Sequence, residues 1–70
     1  RANDLTNAMA MLRKAAAIEP DLPEIWLYLG ESERLTGKPA QAEAAYRRCL
    51  ELNPAQGRAH AGIRRLGKVP

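Results

Sequence analysis

The sequence predicts an all-α protein, and three observations lead to this fold class. Apolar residues make up 46% of the chain and charged residues 27%, a balance that is typical of a folded domain. Alanine, the strongest helix former, supplies much of the apolar share. Apolar side chains recur at spacings of three and four between prolines and glycines, whereas the β-branched and aromatic runs of strands are missing. Seventy residues then form one small domain.

The first helix is predicted over residues 4–18. Asn3 and Asp4 have short polar side chains that can accept hydrogen bonds from the free amides of a first helical turn. Apolar residues then follow helical spacing from Leu5, and Pro20 ends the helix. The residues at this spacing are Leu5, Ala8, Met9, Leu12, Ala15, Ala16 and Ile18.

The second helix is predicted over residues 23–36. Asp21 can cap its N-terminus, and Glu24 can reach back three residues as in a capping box. Pro23 suits the first turn, where no amide donor is needed. Gly37 suits the left-handed conformation that commonly follows a helix C-terminus, so the helix is expected to end just before it.

Two further helices are predicted over residues 39–52 and 55–66. Pro39 opens the third helix and Pro54 stops it, since proline fits a first helical turn but not a helix interior. One face of the third helix carries Ala42, Ala45, Tyr46 and Cys49. One face of the fourth helix carries Ala59, Ile63 and Leu66. Gly67 and Pro70 then end the fourth helix.

The chain repeats itself. Pro20 and Pro54 lie 34 positions apart, and Ala8 corresponds to Ala42 at the same offset. A single helix pair cannot bury both of its apolar faces, so pairs of this kind are expected to stack on one another. The repeat divides the chain into the second half of one unit (residues 1–20), one complete unit (residues 21–54), and the first half of another unit or a capping helix (residues 55–70).

These residues resemble the tetratricopeptide repeat family, a helix–turn–helix unit whose pattern is W-x2-L-G-x2-Y, then A-x3-F, then P. The matching residues are Trp26, Leu29 and Gly30, then Ala42 and Tyr46, then Pro54. The preceding half-unit matches the second part of the pattern with Ala8, Leu12 and Pro20. The resemblance covers essentially the whole chain and implies antiparallel helix pairs stacked as an α-solenoid.

Three positions depart from the family pattern. Glu33 stands where the family often has tyrosine, His60 replaces the tryptophan, and Arg64 replaces the glycine. The last helix therefore resembles a terminal cap with a polar outer face, or a divergent repeat.

The resemblance implies that the first helices of successive pairs line a concave groove, which holds a peptide or partner protein in a scaffold or adaptor role. The groove-facing candidates that it implies are Glu24, Leu27, Tyr28, Glu31, Arg34, Leu35, Arg58, Ala61 and Arg65. One family variant clamps a peptide carboxylate with lysine and asparagine. Leu27 and Glu31 stand where those groups are expected, so that clamp is not predicted here. For each candidate the alternative is an ordinary solvated helix face.

The sequence does not predict an enzyme. Cys49 lies on an apolar face and no neighbour in sequence lowers its pKa, so a buried, inert thiol is expected. His60 is the single histidine, and no Cys–His spacing fits zinc, so we predict no metal. His60 is instead expected to pack where the family has tryptophan. No glycine-rich phosphate loop is present, and we predict no cofactor.

Nucleic-acid binding is a weaker alternative, because the isoelectric point of the sequence is about 9.5. The arginine pairs Arg47-Arg48 and Arg64-Arg65 are the candidate contacts. However, Glu19, Glu43 and Glu51 offset part of this charge, and no aromatic platform accompanies the arginines to stack on bases.

A further hypothesis makes the segment an appendage of a larger enzyme, such as a transferase, where it presents substrate or mediates self-association. The chain begins with Arg1 instead of methionine, so we expect it to be part of a longer protein. No stretch approaches the roughly 18 apolar residues that span a bilayer, and the compartment is not predicted. The first helix is expected to be uncovered, which predicts either a homodimer through this helix or a fragment that is only marginally folded. The uncovered residues are expected to be Leu5, Met9, Leu12 and Ala16.

Overall fold

Four α-helices make up the fold in the computed structural model, which describes residues 2–67 and, from Asp4 onward, their side chains. They are α1 (Ala2–Ile18), α2 (Pro23–Leu35), α3 (Pro39–Leu52) and α4 (Gly57–Arg65). No strand occurs within residues 2–67, so the all-α prediction is confirmed. Every predicted helix is present, and each boundary lies within two residues of its predicted position.

Proline defines the start of two helices. Pro23 and Pro39 occupy the first turns of α2 and α3, as predicted, because this position needs no amide donor. The predicted capping box over Asp21–Glu24 is wrong, since Leu22 is the cap residue and no side chain bonds to this end of the helix. The backbone compensates, because the amide of Ile25 donates to the carbonyl of Leu22 at 3.2 Å.

The starts of α1 and α4 also differ from the predictions. The helix α1 begins at Ala2, so the predicted cap Asn3–Asp4 lies inside the helix rather than before it. The helix α4 begins at Gly57, two residues later than predicted. The side-chain oxygen Oδ1 of Asn53 accepts a hydrogen bond from the amide of Ala55 at 3.2 Å, which holds this segment in a turn.

Gly37 ends α2 and reverses the chain. Its φ of 77° lies in the left-handed region that glycine adopts without strain. The amide of Gly37 donates to the carbonyl of Arg34 at 3.2 Å, and the amide of Lys38 donates to that of Glu33 at 2.9 Å. These two bonds form a Schellman motif, which satisfies the last carbonyls of α2 and lets α3 fold back along it.

The helices are stacked in sequence order, as the repeat prediction requires. The helix α1 packs on α2, α2 packs on α3, and α4 packs on both α3 and α2. Among the described residues, no Cα atom of α1 lies within 8 Å of one in α3 or α4. The helices therefore form successive layers of a solenoid rather than a closed bundle. None of the described helices is both long and apolar enough to cross a membrane.

Tyr46 is the centre of the core. Its side chain is fully buried, and its ring lies between Gly30 of α2 and Gly62 of α4. A Cβ atom at Gly30 would lie 2.7 Å from the ring, and one at Gly62 would overlap the same ring. Both glycines are therefore required for the close approach of α2 and α4 to α3. The predicted apolar face of α3, Ala42, Ala45, Tyr46 and Cys49, is buried in full.

The exposed face of α1 is not the predicted one. Met9 and Ala16 are buried against α2, with exposed fractions of 3% and 8%, while Leu5 and Leu12 are half-buried. The prediction treated all of these residues as uncovered, but they face the one helix that α1 does contact. The exposed large apolar residues of α1 are Met11 and Ile18, at 72% and 80%.

Candidate functional site

A cavity of about 260 Å³ lies between α2 and α4 and collects five of the nine predicted groove residues. Glu31 and Arg34 contribute from α2, three positions apart and hence on one helix face. Arg58, Ala61 and Arg65 contribute from α4 at spacings of three and four, again on one face. We call the surface formed by these five residues, together with Tyr46, the α2–α4 groove.

The hydroxyl of Tyr46 belongs to this groove, although its ring is part of the core. The Nε atom of Arg34 donates a hydrogen bond to this hydroxyl at 3.2 Å. The ring is held by the glycines on either side, so the hydroxyl is a fixed support for the guanidinium. The sequence pattern did not indicate this residue as a site residue. The available signal was a tyrosine at a position where the family pattern has phenylalanine.

Arg58 is held across the gap between α4 and α2. One of its terminal nitrogens donates to both carboxylate oxygens of Glu31, at 3.0 and 3.1 Å. Its guanidinium also lies 5.6 Å from the centre of the Tyr28 ring. Both contacts are at the surface, where each contributes about 1 kcal/mol or less, so they mainly fix the orientation of the side chain.

The lining of the groove is positively charged, because it contains three arginines and one glutamate. Glu31 is already paired with Arg58. Among the described residues, the side chain of Arg34 bonds only to the hydroxyl of Tyr46, and no carboxylate pairs with Arg65. Two guanidinium groups therefore face the cavity without a carboxylate partner among the described residues.

The other four predicted groove residues lie elsewhere. The prediction for Leu27 is wrong, because only 2% of it is exposed and it packs with Tyr46 and Ala59 beneath the stacked α4. Tyr28 and Leu35 are exposed at 44% and 64%. They share a face of α2 with Glu31 but do not line the cavity. The same holds for Glu24, which is exposed at the start of α2.

A larger cleft of about 440 Å³ lies between α1 and α3. Trp26 and Leu29 of α2 line it together with alanines of α1 and α3. A neighbouring surface cavity is lined by Arg47, Leu50 and Ile63, which are the repeat counterparts of Arg13, Ala16 and Leu29. The cleft is therefore a regular consequence of how the repeats stack. It was not among the sites predicted from the sequence.

The remaining candidates have structural roles. Burial raises the pKa of the Cys49 thiol, and the negative charge of Glu24 raises it further, so the thiol is protonated at neutral pH. His60 is exposed, but its Nε2 lies 2.9 Å from the carbonyl of Pro54. The carbonyl can only accept, so this nitrogen carries the proton. Within the part of the chain that the structure describes, no group of acidic, histidine or cysteine side chains could hold a metal ion.

His60 reproduces one contact of the residue that it replaces. Trp26, its counterpart in the preceding repeat, donates from its indole nitrogen to the carbonyl of Pro20 at 2.8 Å. The imidazole makes the same bond to the next proline, although its ring stays exposed and does not pack as a tryptophan would. The arginines Arg47 and Arg48, considered above as nucleic-acid contacts, pair with Glu43 and Glu51 on their own helix.

Comparison with known proteins identifies the family. A family model described as a tetratricopeptide repeat matches residues 23–69, which is more than half of the chain. No solved structure matches the chain. Tetratricopeptide repeats generally mediate protein–protein interactions and are typically not catalytic. Because the match spans α2, α3 and α4 together with the turns between them, the chain belongs to the tetratricopeptide repeat family.

Proposed function

We propose that this chain is a protein-interaction module that binds a peptide or a peptide-like segment of a partner protein in the α2–α4 groove. The observation that supports the proposal most directly is the convergence of five predicted residues, from two helices, on one cavity. The family supplies the general role, and the cavity supplies a place where a partner's side chain can enter.

The length of the α2 face beside the groove favours a short extended segment as the ligand. Tyr28, Glu31 and Leu35 follow one face of α2, and seven helical residues rise by about 10 Å. An extended chain covers that length with roughly three residues. A side chain in the cavity would then be flanked by apolar contacts with Tyr28 and Leu35, both of which are exposed.

Selection of binders from a random peptide display library, followed by affinity measurement, tests this proposal. The variant Tyr28→Ala with Leu35→Ala removes exposed apolar area beside the cavity and should weaken the selected peptides at least tenfold. A matched control is Met11→Ala with Ile18→Ala, which removes exposed apolar area from α1 and should leave the affinity unchanged. Leu27 is unsuitable for this test because its truncation would disturb the core. Peptides that tolerate the Tyr28→Ala, Leu35→Ala variant but not the control would contradict the proposal.

Self-association through α1 is a second candidate function, which the exposure of Met11 and Ile18 favours. Together with the small side chain of Ala8, they form an apolar surface on one helix face that a second copy can cover. We expect sedimentation to show a dimer at high protein concentration and a monomer for Met11→Lys with Ile18→Lys. A concentration-independent monomer of the unmodified chain would contradict this expectation.

A further inference from the structure

We infer that the α2–α4 groove recognises a side-chain carboxylate, so that the preferred partner segment carries an aspartate or glutamate at the position that enters the cavity. This inference rests on the proposed function and adds the chemistry of the ligand. It starts from the charge inside the cavity, where Arg58 already has Glu31 as its partner. Within the part of the chain that the structure describes, Arg34 and Arg65 have no carboxylate partner.

This arrangement differs from that of the arginines on α3. Arg47 and Arg48 each pair with a glutamate one turn away, Glu43 and Glu51, so their charge is compensated within the helix. The groove lacks such compensation for two of its three arginines. A carboxylate from outside would therefore gain favourable interactions without displacing an existing ion pair of Arg34 or Arg65.

Arg34 is already oriented for such a contact. Its Nε is bonded to the Tyr46 hydroxyl, and the tyrosine ring is tightly packed between Gly30 and Gly62. The terminal nitrogens of Arg34 remain available, and two guanidinium N–H groups can bind the two oxygens of a carboxylate. The hydroxyl itself is buried, so it orients the Arg34 guanidinium and leaves contact with the ligand to the terminal nitrogens. Little side-chain entropy is then lost on binding.

The size of the cavity favours a side chain over a free cofactor. Sites for drug-sized ligands are usually larger than about 300 Å³, and this cavity is about 260 Å³. Its net positive charge disfavours lysine or arginine from the partner, because Glu31, the single acidic group of the lining, is engaged by Arg58.

The test screens the same random peptide display library against the full 70-residue chain. Selected peptides are then synthesised with amidated C-termini, so that a terminal carboxylate cannot imitate a side chain. We expect aspartate or glutamate to be enriched at one position. Exchange of that residue for asparagine or glutamine should weaken binding roughly ten- to hundredfold, the size expected for a charge-assisted contact.

Two protein variants assign the effect to the groove. Arg34→Gln with Arg65→Gln should lose affinity to a similar extent and become insensitive to the acid-to-amide exchange in the peptide. Tyr46→Phe keeps the buried ring but removes the hydroxyl, and it should weaken binding several-fold with unchanged helicity. The control Arg47→Gln removes one positive charge from α3, outside the groove, and should change affinity less than twofold.

Four results would overturn the inference. Peptides that lose affinity in the Tyr28→Ala, Leu35→Ala variant but show no acidic preference would support the proposed function. They would contradict only the inference that the groove recognises a carboxylate. Equal loss of affinity in Arg47→Gln and in the Arg34→Gln, Arg65→Gln variant would show a general charge effect. Displacement of the peptide by millimolar inorganic phosphate would show a non-selective anion site. A library that yields no binder would overturn the inference and the proposed function together.

Discussion

The helices α1 and α3 occupy the same place in successive repeats, yet they are buried to very different degrees. Met11 is 72% exposed, whereas its repeat counterpart Ala45 is 6% exposed. Leu12 is half-buried, whereas its counterpart Tyr46 is completely buried. The difference lies in the neighbours, because α3 packs against both α2 and α4, and α1 packs only against α2 among the described helices.

This comparison shows how local the energetics of a stacked fold are. In a solenoid each unit contacts only its neighbours, so the same residue pattern contributes according to what lies beside it. The two faces of α3 are both used, and the resulting core extends from α2 to α4. The helix α1 has a single interface, so two of the four residues that correspond to the buried face of α3, Ala8 and Met11, are exposed to water. Substitutions at matched positions can measure this difference directly.

The largest effect is expected for truncation at the centre of α3. Tyr46→Ala should cost about 3–5 kcal/mol, which is comparable to the whole stability of a domain of this size. We therefore expect the variant to be unfolded at 25 °C. The matched substitution Leu12→Ala on α1 should cost only about 1 kcal/mol, since its side chain is half-exposed. Urea unfolding followed by circular dichroism measures both, and equal losses would contradict the comparison.

Thiol reactivity should also separate the two helices. Cys49 is fully buried, whereas Ala15, its repeat counterpart, is half-buried. In the native protein at pH 8, iodoacetamide should react with Cys49 roughly a hundredfold more slowly than with the cysteine of an Ala15→Cys, Cys49→Ala variant. The reason is that Cys49 must first be exposed by unfolding, which costs several kcal/mol. In denaturing urea the two rates should become equal.

The same thiol predicts a pH dependence of stability. Its pKa is raised in the folded protein above the ordinary value of 9.0, so the unfolded chain loses this proton first. Above pH 9 the unfolded state binds fewer protons than the native state, and the free energy of unfolding falls as pH rises. The Cys49→Ala variant should lack this decline. A decline of the same size in both proteins would assign it to other groups.

The glycines beside Tyr46 provide the next test. Gly30→Ala and Gly62→Ala should each destabilise the protein by about 1–2 kcal/mol, because overlap with the ring outweighs the better helix propensity of alanine. Gly57→Ala is the matched control, since a Cβ there meets nothing within 4 Å. It should be neutral or stabilise slightly. Thermal unfolding would decide, and a stabilised Gly62→Ala would show that α4 can move away from α3 without cost.

The positions of the helices could be predicted from the sequence because their signals are local. Proline at a first turn, glycine in the left-handed conformation and apolar spacing each act within a few residues, and Pro23, Gly37 and Pro39 have the predicted roles. The capping box failed because a helix start has several ways of satisfying its amides, and Asp21 and Glu24 are merely compatible with one of them.

The candidate site could be predicted only in part, because it depends on how closely α4 approaches α2. Leu27 has the sequence environment of a groove residue, but the stacking of α4 buries it. Gly62 permits that approach, and its role is visible only once the Tyr46 ring is placed beside it. The Tyr46 hydroxyl entered the groove for the same reason. The spacing of residues along each helix therefore did not show which residues reach the groove. That depends on packing between helices that are distant in sequence.

The smallest effects are expected at the ion pairs that join the layers at the two ends of the stack. Arg13 of α1 pairs with Glu33 of α2, whose side chain is only 8% exposed, while Arg58 of α4 pairs with Glu31, whose side chain is 23% exposed. Arg13→Ala leaves a buried carboxylate without its partner and should cost about 1–2 kcal/mol. Arg58→Ala should cost less than about 1 kcal/mol, as is usual for surface pairs.

A double-mutant cycle separates the pair from its parts. In the background Glu33→Gln, the substitution Arg13→Ala should have almost no effect, because no carboxylate then needs compensation. Both arginines are measured by urea unfolding at low and at high salt, and salt should reduce the Arg58 effect more than the Arg13 effect. Arg13 and Glu33 also line the cleft between α1 and α3. Equal costs for the two arginines would therefore mean that water in the cleft solvates Glu33 as well as surface water solvates Glu31.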